Sequence, residues 1–288
     1  MSVVLRDNVV VVKVFNNNIL LVEDKGVETI LFDKGIGFGK KFGEVLEAGI
    51  VVEKLFRIES EENQRNMKEI IGRVDDEFFA LCEESIAEIS EDLGEELNES
   101  IHIGLIDHLH LAVKRIRENE EIQNPFLVEI KTLYRVEFKL AVKLAEKINE
   151  SANIKIPDGE IGFIALHIHS ARNSGKLSNT IKYSFLSNSI VGLVEERLDI
   201  KIDRESLDYA RFLTHIRFAV ERIITDNPIK NDLIKIIKKE YKISYKIAEE
   251  ASEILEKGLD KKVTKDEIAY LAMHVERFRV SVVKKWIK

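Results

Sequence analysis

Two stretches of this 288-residue chain decide its architecture: Ile106–Ile116, IDHLHLAVKRI, and Leu213–Ile223, LTHIRFAVERI. They superimpose with His108 on His215 and Arg115 on Arg222, 107 residues apart. The same offset carries Ile130-Lys131, Tyr134 and Lys139-Leu140-Ala141 onto Ile237-Lys238, Tyr241 and Lys246-Ile247-Ala248. It also carries Glu160-Ile161 and Ala165-Leu166-His167 onto Glu267-Ile268 and Ala272-Met273-His274. Three blocks in one register mark an internal duplication. Asn124-Pro125 and Asn227-Pro228 correspond at an offset of 103, so a loop changes length beside them. Within both copies apolar residues return every three or four positions, the period of amphipathic helices.

Outward from the repeat, residues 1–58 have a different character. They hold six of the fourteen glycines and the β-rich stretches VVVVKVF, ILLVED, ETILFD and GIVVEKLF. Turn signals separate these stretches: Asn16-Asn17-Asn18, Asp24-Lys25-Gly26 and a Gly-rich loop from Asp33 to Gly43. The pattern predicts four short antiparallel strands, in a sheet too small to be stable alone, so dimerisation is expected. The Ser- and Asn-rich stretch Asn173–Ser189 reads as a linker plus the start of the second copy, with a boundary near residue 175. The expected fold is α+β and multidomain. A small, dimeric antiparallel β-domain (1–58) is followed by two duplicated all-α helical-bundle domains (66–174 and 175–288).

Composition narrows the function. A chain 45% hydrophobic and 33% charged is globular and soluble in type. Its longest apolar runs fall far short of the ~20 residues of a membrane span. The opening MSVVLRDN has no basic region followed by an apolar core, as a signal peptide would. A single cysteine, Cys82, rules out an internal disulfide framework and points to a reducing compartment. A cytoplasmic protein without membrane insertion is expected. Net charge is −7, yet residues 1–58 balance eight Lys/Arg against eight Asp/Glu. Nucleic acid, if bound, must meet a local patch, and this segment is the place expected for it.

Of seven histidines, four fall at repeat-equivalent positions: His108 with His215, and His167 with His274. His102, His110 and His169 have no such partners; Tyr209, Arg217 and Glu276 stand at the equivalent positions. A core histidine is the plain reading of any one of these residues, but recurrence in both copies selects two positions for function. Metal chelation fits poorly, because His108/His110 and His167/His169 lie two apart, about 200° around a helix. No G-x-S-x-G-like elbow, P-loop or G-x-G-x-x-G after a strand is found, and Gly35-x-Gly37-x-Gly39 lacks the third spacing. The chemistry left is phosphoryl acceptance: a neutral imidazole attacks in line while a hydrogen bond fixes its other nitrogen. Asp107, beside His108, is a candidate to orient it. Such a switch needs no cofactor and no metal.

With the repeat and the Asn-rich β-domain in hand, the sequence resembles the BglG/SacY family of transcription antiterminators along nearly its whole length. Lys13-Val14-Phe15-Asn16-Asn17-Asn18 and Phe32-Asp33-Lys34-Gly35-Ile36-Gly37-Phe38-Gly39-Lys40-Lys41 look like the family's RNA-binding domain. Asp107-His108, Asn124-Pro125, Glu129-Ile130-Lys131, Tyr134, Glu137-Phe138 and Glu160–Ile168 look like its first PTS-regulation domain. The 107-shifted set looks like the second.

The resemblance implies a β-domain that dimerises and clasps an RNA hairpin with internal loops, preventing an overlapping terminator. By position it implies Lys13, Asn18, Lys34, Gly35 and Phe38 at or near the RNA, with Lys40 and Lys41 as supporting charge. That set suits RNA loops, which are read by aromatic stacking, amide hydrogen bonds and phosphate-facing lysines. It implies phosphorylation at His108, His167, His215 and His274. In the first helical domain this is usually inhibitory and involves a sugar-specific enzyme II; in the second it comes from the carrier HPr and is often activating.

Three features depart from the family pattern: Asp33 where glycine is usual, about eight extra residues before the usual start, and a β-domain neutral overall. Two other readings compete with it and fit the sequence less well. One is a phosphotransfer or metal-dependent enzyme using the histidines, against which stand the missing cofactor loop and ligand spacing. The other is a DNA-binding activator, against which stands the absence of a helix-turn-helix ahead of the repeats.

Overall fold

The computed structural model describes residues 2–120, 122–173 and 177–286, with side chains described as far as Val280. The N-terminal part forms β1 (Val3–Val4), β2 (Val9–Val14), β3 (Ile19–Asp24), β4 (Val27–Phe32), β5 (Val45–Leu46), β6 (Val51–Val52) and β7 (Lys54–Ile58). A five-stranded sheet runs β5-β2-β3-β4-β7, antiparallel at every pairing, and β1 pairs with β6. The four expected strands are present. Two strands of two residues each, β1 and β5, were not legible, because a period of two leaves no signal over so short a run. GIVVEKLF, expected as one strand, breaks at Glu53 into β6 and β7.

The β-core is Leu5, Val9, Val11, Leu20, Val22, Leu31, Leu46 and Val52. In β2 the alternation is visible: Val9 and Val11 are buried while Val10 between them is exposed. A bulge between Val11 and Lys13 then shifts the register against β3, which re-aims the side chains that follow. In β3 the four residues from Ile19 to Val22 are all buried. Both faces of that strand are covered, so the alternation disappears.

What covers the second face is helical. The chain continues as α1 (Glu61–Arg73), α2 (Asp76–Leu93), α3 (Ser100–Arg117), α4 (Leu127–Leu133), α5 (Arg135–Ala152) and α6 (Asp158–Arg172). Then come α7 (Leu177–Leu198), α8 (Leu207–Ile224), α9 (Ile234–Glu240), α10 (Lys242–Leu259) and α11 (Lys265–Trp286). The helices α8 to α11 each begin 107 residues after α3 to α6, so the duplication holds element by element. Local chemistry sets several ends. Ser60, Asp75 and Ser206 cap α1, α2 and α8 by accepting from backbone N–H groups of the first turn, and Gly94 closes α2 at φ 65°. The Ser/Asn-rich stretch is helical from Leu177 onward; the expected boundary at residue 175 lies outside the described residues.

The chain falls into two compact units, Met1–Asn124 with Val136–Lys176, and Pro125–Arg135 with Leu177–Lys288. In the first, α2 packs on β3 and β4, with Phe79 stacked on Phe15 at 4.2 Å between ring centroids. One buried polar pair there joins α2 to α3: His102 Nδ1 lies 2.7 Å from Glu83 Oε2, with neither side chain exposed. In the second unit, α9 packs on α10 and α11, whereas its repeat counterpart α4 packs on α7 and α8. Glu129 of α4, 2% exposed, accepts from Tyr209 Oη at 2.7 Å and Asn188 Nδ2 at 3.2 Å.

One glycine ties the β-domain's loops together. Gly37 N–H donates to Asn17 O at 2.8 Å, and a Cβ on Gly37 would stand 2.2 Å from Asn16 O, a backbone atom unable to swing away. Gly37→Ala is predicted to push the Gly-rich loop off the asparagine turn and to cost about 1–3 kcal/mol by overpacking. Urea denaturation of the variant against the parent checks this.

Candidate functional site

The fold brings the two sequence motifs of the β-domain together. Asn16 Oδ1 accepts from the backbone N–H of Asn18 (2.8 Å) and of Ile19 (2.9 Å), a side-chain-closed turn. Asn18 O accepts from Asp33 N–H at 3.1 Å, and Asn18 Oδ1 from Gly35 N–H at 3.0 Å. The asparagine turn therefore holds the start of the Gly-rich loop. Gly35 and Gly39 sit at φ 83° and 71°, the left-handed region open to glycine.

The expected RNA residues divide into two groups around this junction. Lys34, Gly35, Phe38 and Lys41 are exposed, Phe38 by 77%, and Lys40 pairs with Glu44. Lys13 and Asn18 are engaged by α2: Lys13 Nζ lies 2.7 Å from Asp76 Oδ1, and Asn18 Nδ2 donates to Glu84 Oε1 at 3.0 Å. The sequence reading missed Phe42, 82% exposed on the same loop. Its signal was an aromatic between Lys41 and Gly43, where no packing partner could be expected.

The four repeat histidines meet in pairs, because α3 packs on α6 and α8 on α11. His108 and His167 lie 5.2 Å apart between ring centroids, tilted by 37°; His215 and His274 stack at 3.8 Å and 29°. Gly104, one turn before His108, leaves room for the partner ring: a Cβ there would lie 3.4 Å from His167 Cε1 and Nδ1. In the second copy Arg211 occupies the equivalent position.

The carboxylate that reaches His108 is Glu160, not Asp107. Glu160 Oε2 stands 3.1 Å from His108 Nε2, and Arg115 Nη2 donates to Glu160 Oε1 at 2.9 Å. Asp107 instead pairs with Arg73 of α1, since adjacent helical residues diverge and its side chain leaves the histidine. In the second copy Arg222 grips Glu267 through Nε (2.5 Å) and Nη2 (2.7 Å). Glu160, Arg115, Glu267 and Arg222 all recur at the repeat offset, so the signal for them was in the blocks that revealed the duplication. Among the described residues no three His, Cys, Asp or Glu stand together in a way that could hold a metal ion.

Electrostatics keep the inner histidines neutral. Burial, with His108 adding to it, lowers His167 to about 3. Burial, then His215 and Arg277, lowers His274 to about 4. His215 is lowered too, by burial first and then by Arg222 and Arg277. Burial would raise Glu160, but His108 and Arg115 beside it outweigh that and hold the carboxylate below its usual range. Neutral imidazoles are the nucleophilic form, and His167 in the first copy and His274 in the second are held in it near pH 7.

An RNA-reading β-domain joined to two copies of a histidine-pair helical domain defines a class, that of phosphorylation-controlled RNA-binding regulators. Comparison with known proteins agrees. The CAT RNA binding domain family matches residues 9–65, and the PRD domain family matches residues 83–171 and 188–278. The "PtsGHI operon antiterminator" of Bacillus subtilis is 38% identical over 268 residues, covering 92% of this chain and 95% of that protein. "Protein GlcT" of Staphylococcus saprophyticus is 33% identical over 270 residues, covering 93% and 96%. The "GlcA/glcB genes antiterminator" of Staphylococcus carnosus is 32% identical over 275 residues, covering 94% and 96%. A crystal structure of GlcT CAT-PRDI is 41% identical, with a TM-score of 0.49, covering 57% of this chain and 98% of that one. The chain belongs to the BglG/SacY family of transcription antiterminators, with one CAT RNA-binding domain and two PRD domains.

The His167 shift gives a testable pH dependence. Its folded value of about 3 lies below the ordinary 6.5. As pH falls below 6.5 the unfolded chain takes up the proton and the folded one does not. Stability is therefore full above that range and declines on acidification, by up to about 1.4 kcal/mol per pH unit from this residue. His167→Gln is expected to flatten the fall in denaturation midpoint between pH 6.5 and 5 relative to the parent; parallel curves would contradict it.

Proposed function

We propose that the protein, as a homodimer in the cytoplasm, binds an RNA hairpin with internal loops in a nascent leader transcript and so prevents terminator formation. Its activity is set by phosphorylation of the paired histidines, from HPr and a sugar-specific enzyme II. The observation that carries this reading is the recurrence of a histidine pair, His108 with His167 and His215 with His274, in both helical copies of a chain that carries a CAT RNA-binding domain. The name of the Bacillus subtilis relative suggests an operon of the phosphotransferase system as the target.

The chemistry favours phosphoryl acceptance at these pairs. A phosphoryl group adds roughly −1.5 to −2 charges. In the first copy that charge arrives beside Glu160, in the second beside Arg277, which already acts on both histidines. One modification therefore strains the first pair and suits the second, in line with opposite regulatory signs. Dimerisation is supported by valines left exposed in facing pairs, Val10 opposite Val45 and Val4 opposite Val51. RNA contact is supported by Asn18, by exposed Lys34 and Lys41, and by the two exposed aromatics, Phe38 and Phe42.

The test is a gel shift of the full chain against a pool of short structured RNAs. A hairpin is expected to be retained. Phe38→Ala and Phe42→Ala should each weaken its binding by about 1–3 kcal/mol, the worth of one stacked base. Retention of no hairpin at low salt by a folded, dimeric chain overturns the RNA reading. For the histidines, phosphoryl label from phosphorylated HPr is expected on the parent and absent from the chain with all four changed to alanine. Stoichiometric zinc binding lost in that same variant would favour a metalloenzyme instead.

A further inference from the structure

We propose that the edge of the β-domain that reads RNA doubles as a docking surface for α2, so that the first helical domain and the RNA hairpin compete for it. The inference rests on the RNA reading of Lys13 and Asn18 given above.

The geometry is specific to anion-seeking groups. Glu84 Oε1 accepts from Asn16 Nδ2 at 2.9 Å and from Asn18 Nδ2 at 3.0 Å, one carboxylate oxygen bridging two amide donors. Asp76 Oδ1 sits 2.7 Å from Lys13 Nζ. A phosphate or a base-edge oxygen would make the same contacts with the same donors. Between the two acids, Phe79 stacks on Phe15 at 4.2 Å with the planes 21° apart, which anchors the helix over the strand end.

The helix itself is unsuited to sharing this edge with RNA. From Asp76 to Leu93 it carries seven acidic residues and no Lys or Arg. Docked, it places negative charge beside a domain whose eight cations only balance eight anions. RNA therefore meets a surface half of whose donors are taken and whose local field is repulsive. Lys34, Lys41 and the Phe38 ring stay open. In the docked state the RNA can find the loop but cannot complete its contacts until α2 leaves. Apparent affinity is then the intrinsic affinity scaled by the undocked fraction.

The experiment measures hairpin affinity of the full chain, using the tightest hairpin from the structured pool. It compares the parent, Asn18→Ala, and the double variant Asp76→Ala with Glu84→Ala. The double variant is expected to bind about tenfold tighter, as the competent fraction rises. Carbodiimide footprinting of the parent supplies a second readout that needs no substitution. Adding the hairpin should raise modification of Asp76 and Glu84 relative to Glu196, which is exposed throughout. Equal or weaker binding by a normally melting double variant overturns the proposal. So does an unchanged footprint with the hairpin bound. Asn18→Ala keeps the two ideas apart: if it weakens binding while the double variant changes nothing, only the docking proposal falls. If Asn18→Ala binds as the parent does, the RNA-reading edge falls, and docking with it.

Discussion

Glu160 and Glu267 are carboxylates with almost no access to water, 1% and 2% exposed, and each is gripped by an arginine, from α3 in the first copy and α8 in the second. A charge this deep persists only when paired; removing one partner of such a pair typically costs about 3–5 kcal/mol. The pairs join α3 to α6 and α8 to α11, the helices that carry the histidines. Everything chemical about the two PRD domains depends on that join, because it sets which imidazole faces which. It also explains why the arginine and glutamate recur together while the residues around them drift.

The drift shows how two copies of one scaffold acquire different chemistry. At the position of His169, which lies 3.0 Å from Glu137, the second copy has Glu276, which accepts from Ser244 at 2.7 Å. The carboxylate has changed helix, yet Arg172 in one copy and Arg279 in the other still hold it. His102 against Glu83 is matched by Tyr209 against Glu129, another buried polar pair with a new partner. Around the histidines, Gly104 and Ser170 of the first copy become Arg211 and Arg277. The first pair faces a carboxylate and the second faces cations, so the two pairs sit in different electrostatic surroundings.

The β-domain is under a different constraint. Its sheet is thin enough that one side needs a cover, and in this chain α2 supplies it by packing on β3 and β4. A cover that also reaches the asparagine turn joins stability to availability of the RNA edge. Hydrophobic burial at Phe15 and Phe79 fixes where α2 lies, and its acids then act on the donors within reach.

Sequence alone determined the duplication, the helical period, the strands long enough to alternate and the four histidines. Each of these is a repeated local pattern, and repetition survives without coordinates. It also carried the recurrence of Arg115 with Glu160 and of Arg222 with Glu267, without showing that each arginine pairs with its glutamate. Tertiary structure decided what no local pattern encodes. It gave His108 to Glu160 and Asp107 to Arg73, because side chains of neighbouring residues on a helix point apart. It placed α4 on α7 and α8 although its sequence twin α9 lies on α10 and α11. It set Glu84 against Asn16 and Asn18, more than sixty residues distant in the chain. Those choices follow from which surfaces meet once the chain has collapsed, and burial settles them only when every surface is present.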